Sequence, residues 1–433
     1  MAGPSPAGRR VSLVILQSAA LLALFLVVAK AAGAFKEIAV AAAYGTSGTA
    51  DAYSFLSGLA GWPIALFSMT AGVILVPLLV QLGKTDRAAE ALALRAVLSW
   101  SGIIGIVAGL AAGLVFWWLG RDGGPELQAL AVPMALTIPF GVVSAAMTAR
   151  LMAAKKHVGT FLEAVTPLVL IASIVSLGGT MEGASLLGLG SLAGFALTSL
   201  LLFFALHRTG ADLRPGLAGT TVLVQQVGSG MVVVLVAQVA FSIGGTVLDQ
   251  IVAAQLSDGS NAVVNYTNKA LTLVTSMAAI VVGRAVLPNF AEAALEGAVV
   301  VARLARLWSL AMLAAGIVLA GGLYVLAPWV ISVLYERGEF SSADVAKVAE
   351  ALRAGVLQLP FYFASLILAQ WVASTRQYWL LLVANLAAVG AKALVLVLFL
   401  AQYGIAAIFW GTAAMYGVSL LVLGVFILRE RDR

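Results

Sequence analysis

The sequence predicts an all-α polytopic membrane protein, with about twelve transmembrane helices in two pseudo-symmetric six-helix bundles around a central cavity. Three observations predict it. Hydrophobic residues make up 62% of the chain and charged residues only 10%, against roughly 25% charged in a soluble domain. Apolar runs long enough to cross a bilayer, about 20 residues each as helix, follow one another with only short polar punctuation between them. The same short patterns also recur in both halves of the chain.

Cutting at polar residues, glycine and proline gives helices near 11–34, 52–82, 92–119, 127–153, 160–178, 184–206, 220–245, 262–290, 305–334, 345–373, 378–401 and 404–428. Arg9 and Arg10 precede an apolar run from Val11 to Ala29 that is longer than a signal-peptide core, so the first run reads as an uncleaved helix. With the N-terminus inside, the cytoplasmic loops collect most arginines and lysines, among them Lys84, Arg87, Arg150, Lys155, Lys156, Arg208, Arg214 and Arg376. The opposite loops hold few, chiefly Lys36, Arg121, Arg337 and Lys347. By the positive-inside rule both termini lie in the cytoplasm and the helix count is even.

Gly72 to Pro77 ends the second helix, and Gly283 to Pro288 recurs near the end of the eighth, 211 positions later. At that offset Thr46 and Gly48 fall on Ser257 and Gly259, while Pro139–Phe140 reappears as Pro360–Phe361 at an offset of 221. Two six-helix halves account for all of these. The expected organisation is an N-terminal half over 1–206, a cytoplasmic linker over 207–219 around Arg208, Asp212, Arg214 and Pro215, and a C-terminal half over 220–433. Six is even, so both halves enter from the same side as parallel repeats, the arrangement of an alternating-access transporter.

A net charge of +6 raises nucleic acid as a partner. The charge is scattered among loops rather than gathered on one face, which suits topology and anionic lipids instead. With no cysteine, disulfides, iron–sulfur clusters and thiolate chemistry are excluded. His157 and His207 flank helix ends beside basic residues and read as interfacial side chains. Asn265–Tyr266–Thr267 fits a glycosylation sequon by accident. No phosphate-cradling loop, zinc motif or nucleophile elbow is present, so no enzyme, metal or cofactor is expected.

Charges inside apolar helices cost at least ~2.5–3.5 kcal/mol, and therefore face a cavity or one another. Lys30, Lys36, Lys269 and Arg284 are the expected cationic wall, suited to phosphate oxygens because lysine and arginine donate charged hydrogen bonds to oxyanions. Glu37, Asp51 and Asn268 are the expected charge-balancing or coupling groups. Asp249 follows the seventh helix, and Lys392 reads as a snorkelling lysine. Pro63, Pro77, Pro139, Pro167, Pro288 and Pro360 mark kinks or hinges; Gly190 and Gly194 form a GxxxG packing stripe.

At Lys30, Lys36–Glu37 and Ala50–Asp51–Ala52 the sequence resembles the MurJ/MviN family of lipid II flippases, within the multidrug/oligosaccharidyl-lipid/polysaccharide exporter superfamily. The resemblance resumes at Tyr266–Thr267–Asn268–Lys269, at Gly283 to Pro288 and at Arg337–Gly338–Glu339–Phe340. Where the family carries two arginines and then a glutamate in helix two, alignment from Asp51 gives Ile64, Ala65 and Met69. Relatives have fourteen helices against the twelve read here. The resemblance implies a monomeric inner-membrane flippase that carries a polyprenyl-pyrophosphate-linked glycan, with glycan-synthesis enzymes as possible partners. The cargo is lipid II or a capsule, exopolysaccharide or O-antigen unit. A cation-coupled drug exporter is the rival reading, and it would want a buried acidic pocket.

Overall fold

The computed structural model describes residues 25–429 apart from 26, 155, 157, 227–228, 277–297 and 376. Helix α1 covers 27–44 and a three-residue turn leads into α2 (Gly48–Thr70). A π-helical segment, Ala71–Leu75, continues α2 into α3 (Val76–Thr85). Next come α4 (Arg87–Asp122), α5 (Gly124–Ala153), α6 (Val158–Leu162), α7 (Val165–Leu177) and α8 (Gly183–His207). After the linker follow α9 (Thr220–Gln226), α10 (Ser229–Ser242), a second π segment (Ile243–Val247) and α11 (Leu248–Ala253). Helix α12 spans 260–276. The remainder are α13 (Ala298–Tyr335), α14 (Ser342–Gly355), α15 (Leu359–Thr375), α16 (Trp379–Tyr403) and α17 (Ile405–Arg429).

Ten helices among the described residues are long and apolar enough to cross a membrane. Helices α1 and α12 adjoin residues outside the described set, so a count of twelve is compatible with what is seen. The outer faces carry bare aliphatic side chains that water would penalise: Leu114 is 70% exposed, Val318 76% and Val397 82%. In a bilayer those faces meet acyl chains and need no protein cover.

The chain divides into two compact units, one of Met1–Ala39 with Pro63–Gln226 and one of Val40–Trp62 with Val227–Arg433. In the first unit α4 and α5 form a hairpin. A Cβ built on Gly105 would stand 2.8 Å from the Cα of Pro139, so only a glycine lets α4 pass that close to α5. Gly194 likewise lies against the backbone of Thr166, where a built Cβ would stand 2.8 Å from the carbonyl oxygen, which makes the GxxxG stripe of α8 the seat of α7. Small hydroxyls lock α7 and α5 onto α8, with Thr166 to Thr198 and Ser144 to Ser199 both at 2.8 Å. Met147, Leu151, Leu202 and Leu206 fill the space beneath.

In the second unit α13 crosses α15 in the same manner. A Cβ on Gly316 would stand 2.6 Å from the Cα of Pro360. Gly316 lies 211 positions after Gly105 and Pro360 lies 221 after Pro139, the offsets at which the sequence repeats. The core here is built around Trp371, with Val301, Ile367, Leu380, Leu423 and Ile427.

Candidate functional site

The residues expected to form the cationic wall fall in different surroundings. Lys30 is exposed on α1. Lys36, one and a half turns further along, holds the buried carboxylate of Glu37 at 2.9 Å. Both belong to the first unit. Asp51, Asn268 and Lys269 belong to the second; Asn268 is half-buried on α12 and Lys269 is exposed beside it. Arg284 and His157 lie outside the described residues, as do Gly283 to Pro288. Asp51 does not reach for a lysine: its carboxylate accepts the backbone N–H of Ala262 at 3.0 Å, in the first turn of α12. A helix start offers unpaired N–H groups and a partial positive charge, which compete well for a nearby carboxylate.

Two of the stretches that carry the family resemblance, at Tyr266 and at Gly338 to Phe340, assemble into a clasp around the α1–α2 turn. Thr46 donates to Asp344 at 2.5 Å, Tyr266 donates its hydroxyl to the carbonyl of Gly45 at 3.0 Å, and the N–H of Glu339 donates to Ala42 O at 2.8 Å. Gly338 sits at φ +61° with Ala42 O where a Cβ would be, so the turn before α14 tolerates no side chain there. Asp344 also closes a capping box with Ser341 at the start of α14. The rings of Tyr266, Tyr335 and Phe340 pack with centroids 5.1–5.7 Å apart beneath these contacts. Gly259 brings the turn before α12 against Thr46 O, at 2.8 Å from a built Cβ. The two turns matched by the sequence repeat therefore touch one another. Residues 40–62 group with the second unit because this clasp holds them there.

A second constellation was misread from the sequence. Lys392 does not snorkel: its side chain is fully buried in α16, with Nζ 2.5 Å from Asp249 and 2.9 Å from Thr412 Oγ1. Asp249 is not a loop residue; the π segment carries the helix past Ser242, and the acid lies 4% exposed in α11. Snorkelling requires an end of the helix within reach of a lysine stem. Lys392 sits mid-helix with a carboxylate directly opposite, so pairing inside is the cheaper solution. Space for its stem comes from Gly411 on α17, where a built Cβ would meet Lys392 Cγ at 3.0 Å. One turn of α17 beyond Thr412, at Tyr416, begins the lining of a cavity of about 230 Å³, bounded by residues of α10, α15, α16 and α17 that include Gln238, Phe241, Tyr362, Asn385, Tyr416 and Ser419. The signal in the sequence was one acid and one base, each isolated in apolar sequence but 143 positions apart. Nothing local links them.

A family model described as "Lipid II flippase MurJ" matches residues 40–432. The chain belongs to the MurJ family. Among solved structures, it is similar to a lipid II flippase MurJ in an inward closed conformation, at 17% identity and TM-score 0.76 over 94% of this chain and 87% of that one. It is also similar to a multidrug resistance MATE family transporter of the MOP superfamily in an inward-facing conformation (13%, TM-score 0.67, 93% of each). A third is a MOP superfamily transporter from Pyrococcus furiosus whose binding pocket is described as having reversed polarity (13%, TM-score 0.63, 95% of each). At these identities the likenesses establish the fold. No curated protein matches.

Against the MurJ pattern, the apolar residues of α2 have packing and surface roles. Ile64 fills the space over Gly141 on α5, while Ala65 and Met69 are exposed.

Proposed function

We propose that this MurJ-family chain is a flippase that moves lipid II, a polyprenyl-pyrophosphate-linked glycan, from the cytoplasmic to the outer leaflet of the bacterial inner membrane by alternating access. The observation that carries this reading is the family match, which runs over 40–432 and so takes in parts of both units. Lys30, Lys36, Lys269 and Arg284 are the candidate anchors for the pyrophosphate, each a donor of charged hydrogen bonds to oxyanions. Glu37 balances Lys36 in the empty state, at 2.9 Å. Asp51 accepts the N–H of Ala262 at the start of α12, the helix that carries Lys269 and, beside it, Asn268 as a candidate coupling group. Both termini face the cytoplasm, anionic lipids meet the basic loops on that side, and glycan-synthesis enzymes supply and consume the cargo. The chain works as a monomer.

Depletion of the protein in its host, followed by measurement of the lipid-linked sugars on each leaflet, tests the reading. Lipid II is expected to build up on the cytoplasmic leaflet, and unchanged leaflet distributions of every lipid-linked sugar would overturn it. A second reading is supported by Ile64, Ala65 and Met69, which leave α2 without the family's charges: a capsule, exopolysaccharide or O-antigen unit as cargo. Accumulation of that species in place of lipid II would favour it. Charge reversal, Lys269→Glu, is expected to abolish flipping while folded protein remains in the membrane; full activity would remove Lys269 from the site.

A further inference from the structure

We propose that Asp249 and Lys392 form a proton-exchange site and that the adjoining cavity of the second unit is its route to water. The pair spans α11 and α16 with Nζ 2.5 Å from the carboxylate, and Thr412 Oγ1, at 2.9 Å, accepts a second hydrogen bond from the ammonium. Two opposite charges held in a dry, lipid-embedded interior are poor structural glue, because well-packed apolar residues fill the same volume at no desolvation cost. Their presence points to use.

Three helices connect the pair to the cavity along single faces. On α17, Thr412, Tyr416 and Ser419 follow at spacings of four and three, one stripe; the first touches Lys392 and the other two line the cavity. One turn, about 6 Å, separates Thr412 from Tyr416. On α16, Leu381 and Asn385 line the cavity about three and two turns before Lys392. On α10, Gln238 and Phe241 line it just before the π segment that leads to Asp249. Tyr416 lies within electrostatic reach of both Asp249 and Tyr362, and its ring meets that of Tyr362 at 5.1 Å between centroids. The cavity has room for several waters, each needing about 30 Å³. None of its lining residues is a carboxylate, a histidine, a lysine or an arginine, so a proton that enters through it finds the Asp249 carboxylate as its acceptor. The groups facing the pair are Thr412 and Tyr416 on α17, with Tyr362 on α15 beyond them.

Uptake of one proton from cavity water converts the Asp249 carboxylate to the neutral acid and leaves the Lys392 ammonium as it was. The attraction that ties α11 to α16 is lost in that step, and release of the proton restores it. The π segment is a weak point in its helix's hydrogen-bond ladder, which lets α11 shift when the tie opens. Proton binding thus biases a movement of this unit. Only the coupling of that movement to transport rests on the flippase reading.

The site is tested first without substrate, by infrared difference spectroscopy of the full chain in phospholipid nanodiscs across a pH titration. A carboxylic-acid carbonyl band that grows on acidification is expected, absent from Asp249→Asn and displaced in Lys392→Met. Identical spectra for the wild type and Asp249→Asn would overturn the proposal. The double variant Asp249→Leu with Lys392→Met buries no charge and guards against misfolding. In proteoliposomes carrying labelled lipid II, a proton gradient is expected to accelerate wild-type flipping severalfold, and the double variant is expected to lose that acceleration. A gradient response equal in both proteins would also overturn the site. Absence of flipping by the wild type would reject the cargo assignment instead, with the infrared band still deciding on the proton.

Discussion

The two units solve the same packing problem and handle charge in opposite ways. Each sets a glycine against a proline, Gly105 on Pro139 in one and Gly316 on Pro360 in the other. Each ion pair described in the first unit keeps a partner in reach of its surface: Glu37 is buried, but the Lys36 that holds it is 20% exposed. Arg150–Glu90 and Arg95–Asp212 keep 16–41% of their side chains exposed, and α7 carries no charged residue at all between Val165 and Leu177. The second unit draws an acid and a base into its interior and leaves a cavity one helical turn away along α17. Among the described residues, an ion pair with both partners buried is thus found in the second unit alone. The difference is a pair of side chains, not a change of backbone plan.

The comparison breaks most easily at the buried pair. Lys392→Ala strands the Asp249 carboxylate and should destabilise the chain by about 3–5 kcal/mol, the usual cost of removing one partner of a buried ion pair. Thermal unfolding in detergent, followed by tryptophan fluorescence, would read this as a large drop in midpoint. Adding Asp249→Leu to a Lys392→Met background should recover most of it, and no recovery would mean that the helices depend on the charges themselves.

Gly105→Ala and Gly316→Ala sharpen the likeness. Each forces a methyl group into a proline on the facing helix and should cost about 1–3 kcal/mol. Similar losses in the same melting assay would mean that both crossings bear equal weight. A silent change at one of them would show that the matching geometry hides different tolerances. The smallest effect belongs to Asp212→Asn, which removes the more exposed ion pair, 3.7 Å from Arg95. Such pairs contribute about 0–1 kcal/mol, so the midpoint should barely move, in contrast to the loss at Lys392.

The helices were legible because polar punctuation in so apolar a chain coincides with their ends. The expected 127–153 is α5 at Gly124–Ala153, and the expected 378–401 is α16 at Trp379–Tyr403. The π segments were not legible. Nothing in Ala71–Leu75 distinguishes it from ordinary helix, and Asp249 looked like the end of an element that in fact continues through Ile243–Val247. The site was legible by residue type more than by role. The expected partner for Glu37 was a lysine, and it has Lys36; Asp51 was expected to meet one too, but the start of α12 claims it. Tyr266 and Arg337 to Phe340 carried the family resemblance, yet their contacts with the α1–α2 turn depend on chain segments some 220–300 positions apart. Periodicity along one helix is blind to such distances. The same blindness hid the partner of Lys392.

Complete burial also makes the Lys392 amine a chemical clock. Acylating reagents that cross membranes should modify Lys30 on α1 without waiting for any opening of the structure, since that side chain is exposed. Lys392, sealed behind Asp249, Thr412 and Gly411, can react only during the moments when its helices part. Peptide mass spectrometry of a timed labelling series would therefore count the openings of this part of the molecule, with no probe added to the chain.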